Sequence, residues 1–277
     1  MLVIGEKVNV INKRIGAAMK ERDKGPIQEM ALRQLEHGAD ALDINLGPAT
    51  KDGPATMEFV VNTVQEVADC RLCLDTMNPE AMEAGLKLCK QQPIINSTSA
   101  ERARLERFLP LAKTYEAEII GLAMTEAGVS RDTEERVMAA STIMMAMMEF
   151  DVPLERLYLD PLLLPIGVAQ NQAPAAIEAV RMFKQLNDPP LKTVVGLSNI
   201  YNGCADRVKT PLATALLGLL LDAGLDAAIM DADDPRQMEM ARSAGISEAD
   251  LDSLDEDLRL SVKVLRNEML YADSYLD

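Results

Sequence analysis

Eight times along this 277-residue chain a short apolar run closes on a polar residue, and few folds can use such a pattern eight times over. The clearest case is residues 193–199, T-V-V-G-L-S-N. Thr193, Val194 and Val195 are β-branched, as a buried strand prefers, and Gly196 leaves room where another chain or a ligand comes close. Asn199 then stands at the strand's carboxyl end. The other seven runs are residues 2–9, 41–45, 71–76, 93–98, 118–125, 157–161 and 227–231. The intervals between their polar ends each leave room for one helix. Buried strands alternating with helices predict an α/β fold, and eight such units predict a single (β/α)8 TIM barrel, which typically needs about 250 residues. No long linker interrupts the pattern, so residues 1–277 read as one domain with an acidic, helical C-terminal segment from about residue 234.

Composition excludes several classes. A formal net charge of −16 leaves no clustered Lys and Arg for a sequence-independent nucleic-acid surface. The weaker implication of that acidity is a preference for partners with basic patches. No stretch of about 18 consecutive apolar residues appears, and the start M-L-V-I-G-E-K lacks the basic segment and cleavage site of a signal peptide. These features predict a soluble, cytoplasmic protein that does not enter a membrane. Of the four cysteines, Cys70 and Cys73 form a lone C-x-x-C with no second pair and no nearby histidine, so free thiols and no bound metal are expected. The single histidine, His37, closes a predicted helix just before Gly38, where a cation suits the helix C-terminus. Histidine chemistry is not expected.

Further along the chain, Pro26 is expected to open the helix that Gly38 ends. Residues 11–22 read as a loop and short helix with a solvated basic face, and residues 46–54 as a long Gly- and Pro-rich loop at a strand's carboxyl end, where barrels place function. Pro79 begins another helix after Asn78, Ser99 is positioned to cap a charged one, and Asp132 with Glu135 forms a near capping box. The methionines 144, 145, 147 and 148 are read as core filling. Thr210-Pro211 looks like a capping pair opening a helix apolar nearly all round, which a subunit interface would explain. Residues 247–258 read as an acidic segment, with a final helix over 259–271.

The predicted rim of the barrel collects Asn9, Asp43, Asn45, Asp75, Asn96, Asp160, Ser198 and Asn199. For any one of them, loop capping is a sufficient explanation; together they predict a bound molecule rich in donors and acceptors. Two carboxylate oxygens can face a ring N–H and an exocyclic amine, so amides and carboxylates on rigid strand ends can read a heterocycle edge.

Here the sequence resembles a family. G-E-K-V-N, A-L-D-I-N-L-G-P, L-C-L-D-T-M-N-P-E-A-M-E-A-G-L-K, I-I-N-S-T-S, L-Y-L-D-P-L, V-G-L-S-N and G-L-D-A-A-I are similar to motifs of the methyltetrahydrofolate:corrinoid methyltransferases, from the first residue to about Asp233. That family includes the corrinoid iron-sulfur protein methyltransferase and the folate domain of cobalamin-dependent methionine synthase. The resemblance implies a pterin-binding barrel that moves the N5 methyl group of methyltetrahydrofolate to the cobalt(I) of a corrinoid. It implies that Asp75, Asn96 and Asp160 hold the pterin, that Asn199 contacts N5, and that Gly196, Ser198 and Arg207 lie near the ligand. It also implies a homodimer. The corrinoid (cobalamin) must come on a separate, transiently bound corrinoid protein, because His37 is not in the D-x-H-x-x-G setting of cobalamin-carrying domains.

Dihydropteroate synthase shares the barrel and the pterin pocket, but that family has a lysine soon after G-L-S and a late arginine-histidine pair, whereas Ile200 and Tyr201 follow Asn199 and no late histidine exists. A Schiff-base aldolase is disfavoured because Lys192 begins its strand, away from the mouth. A non-catalytic folate-binding subunit is the third reading, and the intact Asn199 speaks against it.

Overall fold

The computed structural model describes residues 1–48 and 52–276. Eight parallel strands close into a barrel: β1 (Leu2–Asn9), β2 (Ala41–Gly47), β3 (Arg71–Thr76), β4 (Ile94–Ser99), β5 (Glu118–Leu122), β6 (Leu157–Asp160), β7 (Lys192–Gly196) and β8 (Ala227–Met230). Each strand pairs with its successor in sequence and β8 pairs with β1, so the sheet has no edge. The expected single (β/α)8 barrel is therefore the fold. Residues 49–51, part of the long loop read at 46–54, lie outside the described residues.

Strand side chains alternate with a period of two, and the barrel interior follows that rule closely. Its apolar layer takes one residue from every strand: Ile4, Ala41, Cys73, Ile94, Ile120, Tyr158, Val194 and Ala227. Two residues further along each strand, on the same face, stand Glu6, Asp43, Asp75, Asn96, Leu122, Asp160, Gly196 and Ile229. The mouth is thus polar by the same arithmetic that makes the middle apolar. Below the apolar layer, Glu118 of β5 is ion-paired with both Arg71 and Lys192, and the Lys192 ammonium lies 4.7 Å from the Tyr158 ring centroid. That triad is the floor of the barrel. Lys192 is committed to it, far from the mouth.

The helices of the outer layer are α1 (Lys13–Glu21), α2 (Lys24–Glu36), α3 (Gly53–Gln65), α4 (Pro79–Leu86), α5 (Arg102–Thr114), α6 (Thr133–Glu149), α7 (Ile166–Ala169), α8 (Gln172–Phe183), α9 (Asp206–Asp222), α10 (Pro235–Ala241) and α11 (Glu256–Leu265). Several boundaries differ from the sequence reading, each for a local reason. Helix α2 starts ahead of Pro26 because the Asp23 carboxylate accepts from the Gly25 N–H and caps it. Helix α9 starts at Asp206 and carries Pro211 inside it; the hydrogen bond Pro211 cannot make falls on the exposed start of the helix, where water can serve the Arg207 carbonyl. Ser99 accepts from the Glu101 N–H rather than capping α5. The 118–125 run splits: β5 ends at Leu122, and Met124–Thr125 pairs antiparallel with Gly128–Val129. Asp255, Glu256 and Asp257, read as part of an acidic segment, are the cap and first turn of α11, where negative charge complements the helix dipole.

Two readings of packing are also corrected. The second apolar face of α9 is covered by α10, α11 and Ile246 of the same chain, so it needs no subunit interface. Of the four clustered methionines of α6, Met147 is buried and Met144 packs on the core, whereas Met145 and Met148 are exposed. His37 caps α2, with its Nδ1 2.8 Å from Asp233, and all four cysteines are free thiols.

Glu118→Ala leaves Arg71 and Lys192 without their buried partner. The expected loss is about 3 kcal/mol of stability in urea denaturation, with the fold of the mouth retained.

Candidate functional site

Five of the eight mouth-layer side chains are polar, and four of those are carboxyls. Asp43 is 2% exposed; its Oδ1 accepts from Asn96 Nδ2 at 3.2 Å. Asp75 is half-buried and its Oδ2 accepts from Asn45 Nδ2 at 2.5 Å, while Asn45 Oδ1 accepts from the Gly47 N–H at 2.9 Å. That second bond fixes the Asn45 amide with its nitrogen toward Asp75. Asp43, Asn45, Asp75 and Asn96 therefore form two bonded pairs on three consecutive strands.

Asp160 stands apart on β6. Its Oδ1 accepts from the Leu162 N–H at 2.7 Å, and Leu162 has a φ of +64°, a conformation that costs a branched residue about 1–2 kcal/mol. The turn is held from behind by Arg136 of α6, fully buried, whose Nε donates to the Pro161 carbonyl at 2.8 Å and whose other nitrogens reach the Asp132 carbonyl and Gln172 Oε1, each at 3.1 Å. The strain at Leu162 is thus locked in by a buried guanidinium.

On the opposite wall, Asn199 lies in the 3-10 turn Leu197–Tyr201 that follows β7, and is exposed. A Cβ on residue 196 would come within 2.9 Å of Asn199 Nδ2, so glycine is what lets the amide lie back over the strand end. Ser198 donates to Glu6, the mouth-layer residue of β1. Asn9 is turned to its own loop, its Oδ1 accepting from the Ile11 N–H at 2.9 Å. Arg207, at the start of α9, is exposed and donates to the Asp273 carbonyl at 2.7 Å, tying it to the C-terminal segment.

Burial dominates the electrostatics. It pushes the Asp75 carboxyl up to about 6, against the pull of Arg104 and the Asn45 hydrogen bond, and the Asp160 carboxyl up to about 7, against the Leu162 N–H and Arg136. Burial also raises Asp43, reinforced by the neighbouring Asp75 charge, and raises Glu6 despite the Ser198 bond. With Asp75 and Asp160 titrating near neutrality, the layer offers donors as well as acceptors. That matches a ligand edge carrying both.

The structure brings Asp43, Asp75, Asn96, Asp160 and Gly196 to one layer, with Asn45 bonded to it from the next inward position of β2 and Ser198 and Asn199 at its edge; Asn9 and Arg207 lie further out. Sequence reasoning missed Glu6, Arg104, Arg136 and Tyr201. Glu6 was within reach, since it lies two residues past the inward-facing Ile4. Arg104, which donates to Ser97 and sits close enough to Asp75 to lower its pKa, comes from a helix face and leaves no such signal.

The model of the pterin-binding enzymes matches residues 5–231, which contain every element of the mouth layer. The chain belongs to the pterin-binding enzyme family. It is 27% identical over 236 residues to the methylcorrinoid:tetrahydrofolate methyltransferase of Eubacterium limosum, covering 83% of this chain and 85% of that one. It is also 27% identical over 243 residues to the methionine synthase of Mycobacterium tuberculosis, of which it spans 20%. Among solved structures, dihydropteroate synthases of Yersinia pestis with a sulfonamide complex (TM-score 0.67, 14% identity, 91% of this chain and 94% of that one) and of Coxiella burnetii with pteroic acid (TM-score 0.64, 14% identity, 88% and 91%) share the fold.

Raised carboxyl pKa values give a signed prediction. An Asp that holds its proton up to about 6 or 7 when folded, but only to about 4 when unfolded, makes the native state bind more protons in that window, so stability falls as pH rises from about 4 to 7. Asp160→Asn removes its share of that slope, measurable as the difference in urea midpoints between pH 5 and pH 8.

Proposed function

We propose that this protein moves the N5 methyl group between methyltetrahydrofolate and the cobalt(I) of a corrinoid carried by a separate protein. The observation that carries the reading is the composition of the mouth: the carboxyls of β2, β3 and β6 and the amide of β4 in one layer, buried or half-buried, with an exposed asparagine at its edge. The likeness to the Eubacterium limosum enzyme along most of both chains supports it.

Asp75, Asn96 and Asp160 hold the pterin edge, whose ring N–H and exocyclic amine need acceptors and whose carbonyl needs a donor. Asp43, Asn45, Asn9, Gly196, Ser198 and Arg207 complete the binding surface. Asn199 faces N5. A tertiary amine leaves poorly unless its nitrogen gains a proton or a strong hydrogen bond as the C–N bond breaks. An amide donor there strengthens as N5 becomes more basic, which stabilises the transition state more than the ground state. The layer fixes the ring so that the methyl points out of the barrel, toward the incoming cobalt.

The corrinoid protein docks transiently on the mouth face. Among the described residues the three most exposed large hydrophobics are Val168 at 85%, Ile11 at 83% and Leu270 at 82%, and all three lie there: Ile11 follows β1, Val168 follows β6, and Leu270 lies in the segment that Gln170 ties down. Exposed apolar side chains on that face suit a partner with an apolar surface, beyond what the net charge alone implies. A homodimer and a cytoplasmic setting belong to the same proposal; no helix among the described residues is long and apolar enough to cross a membrane.

The test is anaerobic. The purified protein is mixed with methyltetrahydrofolate and free cob(I)alamin, and loss of cob(I) absorbance is followed as methylcobalamin forms. Turnover is expected. Asn199→Ala should slow transfer about a hundredfold while keeping folate affinity within about threefold, and Asp160→Ala should lose binding first. Equal rates for Asn199→Ala and wild type would remove the N5 role.

A further inference from the structure

Asn199 is exposed, and its side-chain amide has no hydrogen-bond partner among the described residues. A donor of this kind must be held within about 0.5 Å of its productive position to be useful. What holds it is therefore the turn that carries it. Leu197 and Ile200 fasten that turn into the core, at 0% and 1% exposure. The polar tether is Ser198, whose Oγ lies 2.6 and 2.8 Å from the two carboxylate oxygens of Glu6 and 2.5 Å from the Tyr201 hydroxyl.

A serine hydroxyl owns a single proton. With that proton given to Glu6, Tyr201 must donate into Ser198 Oγ, and the three groups form one directed chain from Tyr201 through Ser198 to Glu6. The chain crosses the barrel seam: Glu6 belongs to β1, 192 residues before Ser198. Of its charged neighbours, Lys7, paired with Asp231 at 2.6 Å, favours the Glu6 carboxylate, whereas Asp231 and the Asp43 carboxyl on the adjoining strand act against it, so the hydroxyl of Ser198 is what holds it in register. Among the described residues, Ser198 is the only side chain that donates a hydrogen bond to it.

We propose that Glu6 is a positioning residue for methyl transfer, setting the place of Asn199 by anchoring Ser198 of the same turn from the first strand of the barrel. The proposal rests on the methyltransferase reading of the mouth. Glu6 does not touch the reacting atoms. Its effect reaches them through one hydroxyl and one peptide unit.

The experiment uses single-turnover transfer from methyltetrahydrofolate to free cob(I)alamin, with folate affinity measured separately by calorimetry. Glu6→Ala should lower the transfer rate about tenfold, equivalent to about 1.4 kcal/mol, while folate affinity changes less than about threefold. Glu6→Gln, whose amide oxygen still accepts from Ser198, should restore the rate to within about threefold of wild type. Ser198→Ala should lose rate as Glu6→Ala does, and adding Glu6→Ala to it should cost nothing further. A wild-type rate in Glu6→Ala overturns the proposal, as does a loss of affinity that accounts for the whole loss of rate. If Glu6→Ala does not fold, a wild-type rate in Ser198→Ala overturns it alone. A wild-type protein that binds folate without turnover overturns the methyltransferase reading instead, and this proposal falls with it.

Discussion

The apolar layer across the middle of the barrel governs what the mouth above it can be. Eight side chains, one from each strand, fill the interior and exclude water from below. Because strand side chains repeat every second residue, the next inward positions are forced together as a ring at the mouth. A carboxyl placed in that ring has a hydrophobic floor beneath it and solvent on one side only. The shifts toward neutral pKa at Asp75 and Asp160 follow from that placement, with burial as their leading cause.

Four carboxyls in one ring would repel one another if all were ionised, and the surroundings offset this by neutral hydrogen bonds more than by countercharge. Asn96 serves Asp43, Asn45 serves Asp75, Ser198 serves Glu6 and a backbone N–H serves Asp160. The cations stand one step back. Arg104 acts on Asp75 at a distance, and Arg136 is spent on the backbone behind Asp160. An amide next to a carboxyl leaves it free to change protonation state, whereas a direct guanidinium partner would hold it ionised. The mouth therefore keeps both donor and acceptor capacity for a ligand. The floor shows the opposite solution, with Glu118 locked between Arg71 and Lys192. The two ends of one barrel thus differ, with a locked ion triad below and above it the polar ring that the proposed function uses for recognition.

The C-terminal segment adds a layer that most of the barrel lacks. Helices α10 and α11 seal the outer face of α9, and the residues after α11 reach back to the loops that follow β6 and β7 through Gln170, Arg207 and Ala205. Motif likeness ends near Asp233, but the chain beyond it is built into the rim.

Much was readable from the residues alone. Apolar runs closing on a polar residue marked the start of all eight strands within a residue; the run 193–199 continued past Gly196 into the 3-10 turn, and 118–125 was overrun because Met124 and Thr125 look like strand and serve a hairpin instead. Asp43, Asp75, Asn96 and Asp160 were legible because each ends an apolar run, and strand period alone then places them inside. Glu6 obeys the same period but sits mid-strand, so it lacked the cue of a terminus. Arg136 and Arg104 had no cue, since each belongs to an amphipathic helix where an arginine ordinarily faces water, and only the docking of α5 and α6 on the barrel turns them inward. Local sequence determined the strands, the helices and the polar character of the mouth, because period and turn chemistry act over a few residues. Which carboxyl bonds to which amide, how far each pKa moves, and the tether from Glu6 to Ser198 were decided only by closure of the barrel, which brings the first strand against the last and sets burial for every group between them.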